Sequence, residues 1–475
     1  MTKTQSQSMD KNLGKVVIVG AGPAGTRVAE VFISKNIRPV VIDESPASGG
    51  QVYRRQPTEF KRSAKERYGF EANKATNLHK CFDRLKNSID YYPDTTVWGV
   101  EGNVLFTQDA EGIKRVSYDT LFLCTGAADR VIPFHGWTLP GIYTMGGAQI
   151  ALKAQGCVIG RDVVFMGSGP LLYLVAYQYV HAGANVKAVL DTAKLSDAIS
   201  VWYGLLAGGR TLAKGIWYQN WLRLKGIPIK RGIKPISAVG EGRVSRINYL
   251  SSKNKSKFVD CDAIGFGWGV KPECQLAELA GCEMRFDEIA QQWLPVVDNA
   301  GRTSLQDVYL AGDGAGVMGA DAAEYGGELA ALTALSDSGA SINLERYGRL
   351  QGRLKRLAKF RIALEKALPY PEGMAASLVD STIVCRCEGI TAGEIRQSQS
   401  LVPQEMNRAK AYTRVGMGRC QGRMCGIAAA EILAKEKGVT VSAVGRMRGQ
   451  APIKPLHIGK AGEAAREDPN RAASI

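Results

Sequence analysis

Residues 15–50 read KVVIVGAGPAGTRVAEVFISKNIRPVVIDESPASGG, and they carry the strongest fold signal of the amino-terminal half. The apolar run 16–19 has the composition of a short buried parallel strand, and Gly20, Gly22 and Gly25 follow it as G-x-G-x-x-G. The first glycine allows a tight turn, the second lets backbone approach a pyrophosphate, and the third lets a helix pack closely on the strand. The stretch therefore predicts a strand, a dinucleotide-binding turn and a helix.

Acidic and glycine residues after the second apolar run extend this site. Asp43 lies 18 residues beyond the third glycine, where a carboxylate can accept a hydrogen bond from a ribose, and Glu44 follows it. We assign both acids to the cofactor. Gly49 and Gly50 would let backbone approach a flat ring at the far end of the nucleotide, with Gln51 bonded to the ring edge. An ordinary turn remains the alternative at these glycines.

Two later turns complete the flavin pattern. The strand in YDTLFLCTGAAD (118–129) ends at Thr125-Gly126, with Cys124 where alanine is usual in flavoproteins that bind two dinucleotides. The strand in VYLAGD (308–313) ends at Gly312-Asp313, where the acid would lie opposite a ribityl chain. The following helix could direct its positive end at the flavin ring. In this order, the three turns predict bound FAD.

A second glycine turn begins near residue 161, in RDVVFMGSGPLLYLVAYQYVHAGANVKAVLD. Gly167 and Gly169 are present and Asp191 ends the second strand, but Leu172 takes the place of the third glycine. A leucine there should push the helix away or point toward the phosphates. The sequence leaves three alternatives open: a working NAD(P)H site, a vestigial site, and a site that holds an adenine nucleotide statically.

The three turns together resemble the glutathione-reductase and thioredoxin-reductase superfamily over about residues 15–340. The resemblance implies an α/β fold with two Rossmann-like domains, the second inserted in the first. No C-x-x-C or C-x4-C pair lies near either glycine turn, so a disulfide reductase is not expected. We divide the chain into a disordered start (1–14), an FAD-binding domain (15–127 and 262–343), a degenerate second nucleotide domain (128–261), a linker helix (344–376), a metal-binding domain (377–449) and a tail (450–475).

Composition narrows the class of protein. The 475 residues carry a formal net charge of +16, and no apolar run is long enough to span a membrane. The first 15 residues lack the apolar core of a signal peptide, so we expect a cytoplasmic protein. No nucleic-acid-binding motif accompanies the positive charge, so a nucleic-acid partner is not expected.

Residues 344–368 have apolar positions at helical spacing and a strongly basic opposite face. A helix on a membrane surface, peripheral to the inner membrane, is one interpretation. The other is a linker helix packed on the body, which we favour because two glycines interrupt it and no exposed tryptophan accompanies it.

Four of the ten cysteines form two close pairs near the carboxyl end, Cys385-x-Cys387 and Cys420-x4-Cys425. Four thiolates suit a tetrahedral sulfur site, and the glycines around them leave backbone N–H groups free to reach inorganic sulfides. The stretch resembles the small [2Fe–2S] modules of bacterioferritin-associated ferredoxins, which implies an α-rich [2Fe–2S] domain. Zinc and unligated thiols remain alternatives.

The combination of GGQVYRR, GSGPLL, AGDGAG and CRC…RCQGRMC resembles a narrower group over nearly the whole chain. It comprises the FAD-containing A subunits of opine oxidases, the B subunits of hydrogen cyanide synthases and the α subunits of dye-linked proline dehydrogenases. The resemblance implies electron transfer toward a quinone or cytochrome, from an amine oxidised in a B subunit of the amino-acid-oxidase fold. It also admits an FMN at a subunit interface and a small third subunit. No catalytic residue is assigned. Within the group we favour the opine oxidases, with octopine or nopaline as substrate, and the cyanide synthases and proline dehydrogenases are the next alternatives. A stand-alone NAD(P)H-dependent reductase and a zinc-stapled interaction subunit with inert FAD are alternatives from other classes.

Overall fold

A computed structural model describes residues 13–57, 59–60, 62–400 and 405–459. The disordered start predicted for residues 1–14 lies almost wholly outside these ranges, as does most of the tail. Within the described part of the chain, no helix is long and apolar enough to cross a membrane.

The first domain is built on a five-stranded parallel sheet. Its central strand, Val16–Val19, is buried at every position, as both faces of a parallel sheet must be. The strands lie in the order Val308–Leu310, Thr120–Leu123, Val16–Val19, Val40–Ile42 and Asp90–Tyr92. The α-helices of this domain are Pro23–Ile33, Ala64–Tyr68, Ala72–Leu85, Gln275–Leu279 and Ala320–Asp337.

The second domain repeats this architecture. Its parallel strands lie in the order Ile229–Arg231, Asn185–Asp191, Asp162–Ser168, Ala263–Trp268 and Ile142–Thr144. Its helices are Met145–Lys153, Pro170–His181, Leu195–Ser200, Trp202–Leu206 and Arg210–Leu224. The prediction that the chain returns to the first domain at residue 262 is wrong. Ala263–Trp268 pairs in parallel with Asp162–Ser168, and this buried ladder holds the strand in the second sheet.

Smaller antiparallel sheets complete the two domains. A three-stranded meander consists of Thr96–Glu101, Val104–Gln108 and Ile113–Ser117. Further strands are Lys234–Val239, Arg246–Leu250 and Ser256–Asp260, and the hairpin Met284–Asp287 with Gln292–Pro295. The two crossings between the domains pair as Ala127–Asp129 with Val270–Pro272.

The linker helix, Leu344–Ala367, packs on both domains. Its Phe360 and Ala363 form an apolar cluster with Leu205 of the second domain. The carboxyl-terminal module contains the strands Ile383–Cys385 and Ile390–Thr391 and the helices Ala392–Ser398, Met406–Thr413 and Gly426–Lys437. Its core is continuous with that of the second domain, so the module does not stand apart.

Candidate functional site

A cavity of about 850 Å³ lies where the two domains, the linker helix and the module meet. Most residues assigned to a cofactor from the sequence line it together, although they come from distant parts of the chain. They are Gly20, Gly22, Asp43, Glu44, Gly50, Gln51, Thr125, Gly126, Gly169, Gly312 and Asp313. Gly25, Gly167 and Asp191 do not line it.

The first glycine turn is packed as the sequence predicts. Gly20 has a φ of +108°, and a Cβ there would lie 2.3 Å from the carbonyl oxygen of Cys124. A Cβ on Gly25 would lie 1.8 Å from the carbonyl oxygen of Gly20. Gly20 is therefore required by the turn, and Gly25 by the contact of helix with strand.

Asp43 holds the turn from the end of the second strand. Its carboxylate accepts hydrogen bonds from the backbone N–H of Ala21 at 2.5 Å and of Ser45 at 2.7 Å. The side chain is buried, and burial raises its pKa despite these two donors. Asp43 thus shapes the first glycine turn as well as lining the cavity.

Glu44, the next residue, pairs with a lysine from the other end of the chain. The Lys454 ammonium lies 2.9 Å from its carboxylate, and the backbone N–H of Ile453 bonds the carbonyl oxygen of Trp98 at 3.0 Å. Burial opposes ionisation of Glu44, but Lys454 and Arg423 outweigh it and lower its pKa. The segment around Lys454 therefore closes the Asp43 end of the cavity.

Among the described residues, three α-helices begin at a residue that lines the cavity and have no side-chain cap. Their N-caps are Gly22, Gly169 and Gly319, and each of these residues lines the cavity. The first N–H groups of a helix have no partner within it and carry partial positive charge. Three such ends on one cavity favour a ligand with several negative groups, and the pyrophosphate of FAD suits the end at Gly22.

Asp313 is used within its own loop. Its Oδ1 accepts hydrogen bonds from the backbone N–H of Met318 at 2.9 Å and of Gly319 at 3.0 Å. These bonds position the start of the Ala320–Asp337 helix, whose first residue also lines the cavity. The donor set and the cavity lining fit FAD.

The second nucleotide site has a different arrangement. The hydroxyl of Tyr173 donates a hydrogen bond to Asp191, which is completely buried, and the backbone N–H of Ala193 donates another at 2.9 Å. Leu172 is also fully buried, within the core of the domain, so it does not point toward the cavity. Gly167 instead permits close contact of two strands, since a Cβ there would lie 1.8 Å from the carbonyl oxygen of Gly267.

The four cysteines of the module come together in the structure. The Cys425 thiol lies within hydrogen-bond reach of Cys385 and Cys420, and this contact lowers the pKa of both. Cys387 contacts Cys420. The thiols touch one another, and among the described residues no three His, Cys, Asp or Glu side chains are spaced around a single metal ion.

The surroundings of these thiols suit a sulfur cluster. Backbone N–H groups of Gly416 and Gly422 bond the thiols of Cys385 and Cys420, respectively. A Cβ on Gly418 would lie 2.2 Å from the Cβ of Cys387, so only glycine permits this approach. Amide donors at the ligating sulfurs are typical of iron–sulfur sites.

The module is fastened directly to the first domain. Arg446 lies 2.8 Å from the Glu278 carboxylate, and the Gln275 side chain donates to the carbonyl oxygen of Gln421 at 2.7 Å. Cys420 lines the same cavity as Gly20. The cluster of four cysteines therefore adjoins, through Cys420, the cavity that fits FAD.

Sequence reasoning missed several residues of the cavity. Lys153 and Arg130 are both almost completely buried and both line it, as does Tyr370 after the linker helix. The signal for Lys153 was a single charge in the apolar helix MGGAQIALK. Its proximity to the loop after Gly50 depends on the inserted domain and cannot be read from the sequence.

An exposed apolar patch lies beside the linker helix. It consists of Leu195, Ile199, Trp202, Tyr203 and Leu206, each at least 56 % exposed. The expectation that no exposed tryptophan accompanies this helix is therefore wrong. The helix Trp202–Leu206 packs on the linker helix through Gly204 and Leu205, which leaves Trp202 facing outward, and the helix Leu195–Ser200 packs there through Ala198.

Comparison with known proteins agrees with this architecture. Residues 14–327 match the pyridine nucleotide-disulphide oxidoreductase family, and residues 380–464 match the sarcosine oxidase A3 domain. The resemblance of the module to bacterioferritin-associated ferredoxins stays a prediction.

Similarity to individual proteins extends over nearly the whole chain. The opine oxidase A subunit of Rhizobium meliloti is 36 % identical over 94 % of this chain and 86 % of its own length. The HcnB subunit of hydrogen cyanide synthase from Pseudomonas protegens is 31 % identical over 93 % of this chain and 96 % of its own. The crystal structure of L-proline dehydrogenase from P. horikoshii shares the fold, with a TM-score of 0.67 and 18 % identity over 94 % of this chain and 79 % of that one. The chain thus belongs to the pyridine nucleotide-disulphide oxidoreductase family and, within it, to the oxidoreductases typified by the opine oxidase A subunits.

Proposed function

We propose that this chain is the electron-transfer subunit of a multi-subunit enzyme that oxidises the amine of an amino-acid derivative. The amine is oxidised in a partner protein, and this chain carries the electrons to a quinone or cytochrome acceptor. FAD supplies the change from paired to single electrons, and a [2Fe–2S] cluster supplies single-electron transfer. Relatives named as subunits support a hetero-oligomer.

The observation that carries this proposal is the position of Cys420. Cys420 lines the cavity that contains the G-x-G-x-x-G turn, and its thiol belongs to the cluster of four cysteines in the module. The path between the two proposed cofactors therefore lies within one chain. The bonds of the module to Gln275 and Glu278 keep this contact in place.

In the FAD site, the uncapped helix at Gly22 would receive the pyrophosphate and Asp43 would hold the turn. Glu44 is proposed as the acid nearer the ribose. Gly50 and Gln51 are proposed to approach the ring. The cavity is lined farther along by Thr125, Gly126, Gly312 and Asp313. These assignments are tested by FAD content in single variants.

In the module, Cys385, Cys387, Cys420 and Cys425 are the proposed ligands of the cluster. Their mutual contacts would open as the irons and sulfides enter, while the nearby amide groups bond the sulfurs. Zinc in place of the cluster would give no visible absorbance and no labile sulfide. Iron and sulfide analysis therefore separates the two.

The proposed donor is a B subunit of the amino-acid-oxidase fold, and the proposed further components are an FMN at the interface and a small third subunit. We propose an opine such as octopine or nopaline as substrate, supported by similarity to the opine oxidase A subunits. Specificity would reside in the partner. Glycine, as for a cyanide synthase, and proline are therefore the alternative substrates.

The second nucleotide domain is proposed to take no part in hydride transfer. The Tyr173 hydroxyl bonds the Asp191 carboxylate, which would otherwise bind a ribose. This bond supports a vestigial site or a static adenine nucleotide at Gly169 over a working NAD(P)H site. A stand-alone NAD(P)H reductase is correspondingly disfavoured.

We further propose a cytoplasmic protein that touches the anionic inner membrane, where a quinone acceptor would lie. Exposed Trp202 and Tyr203 have the amphipathic character of interfacial residues. An exposed stripe on the adjacent linker helix consists of Lys355, Lys359, Ile362 and Lys366. Lysines beside an apolar patch complement an anionic lipid surface.

The deciding experiment uses the complex of this chain with its B subunit, purified without oxygen. Addition of octopine or nopaline should reduce the flavin, and the chain should contain two irons and two labile sulfides, the composition of a [2Fe–2S] cluster. Reduction by glycine or proline alone would reassign the substrate. Rapid reduction of the isolated chain by NADH would overturn the proposed direction of electron flow.

A further inference from the structure

Lys153 is a buried cation without an anionic partner among the described residues. It lies at the end of the Met145–Lys153 helix, with only 5 % of its surface exposed. Its ammonium group donates one hydrogen bond, to the carbonyl oxygen of Val52 at 3.3 Å. An ammonium group has three donors, and no carboxylate in the described part of the chain pairs with this one.

A buried unpaired ammonium is energetically costly. Burial alone lowers the pKa of Lys153 to about 8, with no charged group contributing to the shift. Proteins keep buried charges where an ion or ligand compensates them. Since Lys153 lines the cavity, the compensating charge is expected from a ligand in that cavity.

The position of Lys153 selects one end of the ligand. Val52, which it bonds, follows the turn at Gly50 and Gln51 that is proposed to approach the flavin ring, and Val52 also lines the cavity. The pyrophosphate would lie at the uncapped helix that begins after Gly22, which Gly50 contacts, so the chain would run from the pyrophosphate at Gly50 toward the ring at Val52. Lys153 is therefore placed at the ring end of the proposed cofactor.

A second lysine of the cavity lining has a different role. Lys454 lies at the opposite, ribose end and is paired with the carboxylate of Glu44 at 2.9 Å. Its charge is therefore already compensated by the protein. The charge of Lys153 has no such partner in the part of the chain that the structure describes and is available to a ligand.

We infer that Lys153 is the cationic partner of the flavin ring and stabilises the negative charge that the ring gains on reduction. The inference rests on the proposed FAD site. Two uncapped helix ends, at Gly169 and Gly319, open into the same cavity and add to its positive potential. Charge close to the ring is one of the means by which a protein sets the electron affinity of a flavin.

The test compares Lys153→Met, which keeps the length of the side chain, with Lys153→Arg, which keeps the charge. Lys187→Met, at an exposed position of the strand Asn185–Asp191, is the matched control for the loss of one positive charge. FAD content, the midpoint potential of the bound flavin and its affinity for sulfite are measured in the full chain. Sulfite is used because its adduct places negative charge on the flavin ring.

Lys153→Met should weaken binding of reduced relative to oxidised FAD about tenfold, which lowers a two-electron potential by about 30 mV. It should also weaken sulfite binding, whereas Lys153→Arg and Lys187→Met should stay close to the wild-type values. An unchanged potential in Lys153→Met with full FAD content would overturn the inference. Loss of FAD affinity at an unchanged potential would assign Lys153 to the pyrophosphate and would also overturn it. Absence of FAD from the wild-type chain would refute the proposed cofactor itself.

Discussion

The hydroxyl of Tyr173 donates a hydrogen bond to the carboxylate of Asp191 in the second nucleotide domain. The exposed fractions of the two residues are 2 % and 0 %, so the bond is closed to solvent. A ribose that approached this acid would have to displace a side chain from the core of its own domain. The second glycine turn therefore keeps its fold without offering the acid to a ligand.

The first prediction concerns nicotinamide cofactors. Under nitrogen, neither NADH nor NADPH should bleach the flavin band of the purified chain. The reason is that the Tyr173 hydroxyl already bonds the Asp191 carboxylate that would bind a ribose. Dithionite serves as the control, since it should reduce the same preparation. Rapid bleaching by either nucleotide would contradict this interpretation and make the chain a pyridine-nucleotide oxidoreductase.

The second prediction concerns pH and Asp191. Burial raises its pKa from 3.8 to about 6, against the Tyr173 bond. The folded state therefore holds the proton more tightly, and the stability that Asp191 contributes is complete below its unfolded pKa and is lost as pH rises through about 6.

Asp191→Asn should remove this dependence. The free energy of unfolding of wild type relative to the variant should fall by about 3 kcal/mol between acid and neutral pH. Denaturant titrations of both proteins measure the difference. A constant difference across this range would show that Asp191 ionises freely in the folded protein.

The third prediction concerns the four cysteines of the module. Cys420→Ser should abolish the visible absorbance of the proposed [2Fe–2S] cluster while FAD remains bound, because the two sites share an edge but use different residues. Cys157→Ser is the control, since Cys157 is exposed and far from the module in sequence. Joint loss of FAD and cluster would show that the two sites do not form independently.

The fourth prediction concerns two helical glycines. Gly25→Ala should destabilise the protein by about 1–3 kcal/mol or more and reduce FAD content, since its Cβ would clash with the carbonyl oxygen of Gly20. Gly348→Ala in the linker helix has no atom within 4 Å of the new Cβ and should stabilise by up to about 1 kcal/mol. Thermal unfolding and FAD absorbance measure both effects. Equal stability of the two variants would refute the close packing inferred at Gly25.

The fifth prediction concerns the exposed apolar patch. Trp202→Ser with Tyr203→Ser should reduce binding to vesicles that contain anionic lipid, because both side chains face outward beside a lysine stripe. Vesicles of neutral lipid are the control, because they do not attract the positively charged lysine side chains. Flotation with the anionic vesicles measures the effect, and no binding by the wild-type complex would assign the patch to a protein partner instead.

Much of the fold was predictable because its signals are local. A short apolar strand followed by glycines at the spacing of Gly20, Gly22 and Gly25 leaves few backbone alternatives, and the same holds for the turns at Gly126 and Gly312. The place of Ala263–Trp268 was not predictable, because the sequence of a buried apolar strand does not indicate which of two parallel sheets the strand joins.

The two nucleotide folds, the order of the flavin turns and the spacing of the cysteines in the module can all be read from the amino-acid sequence. Three features depend on the folded arrangement: Tyr173 bonds Asp191, Cys420 adjoins the FAD cavity, and Lys153 is buried there without an acid among the described residues. The difference arises from the separation in sequence between the residues that interact. Turn geometry and helix ends depend on neighbours in the chain, whereas burial and charge compensation depend on residues brought together from distant segments by packing.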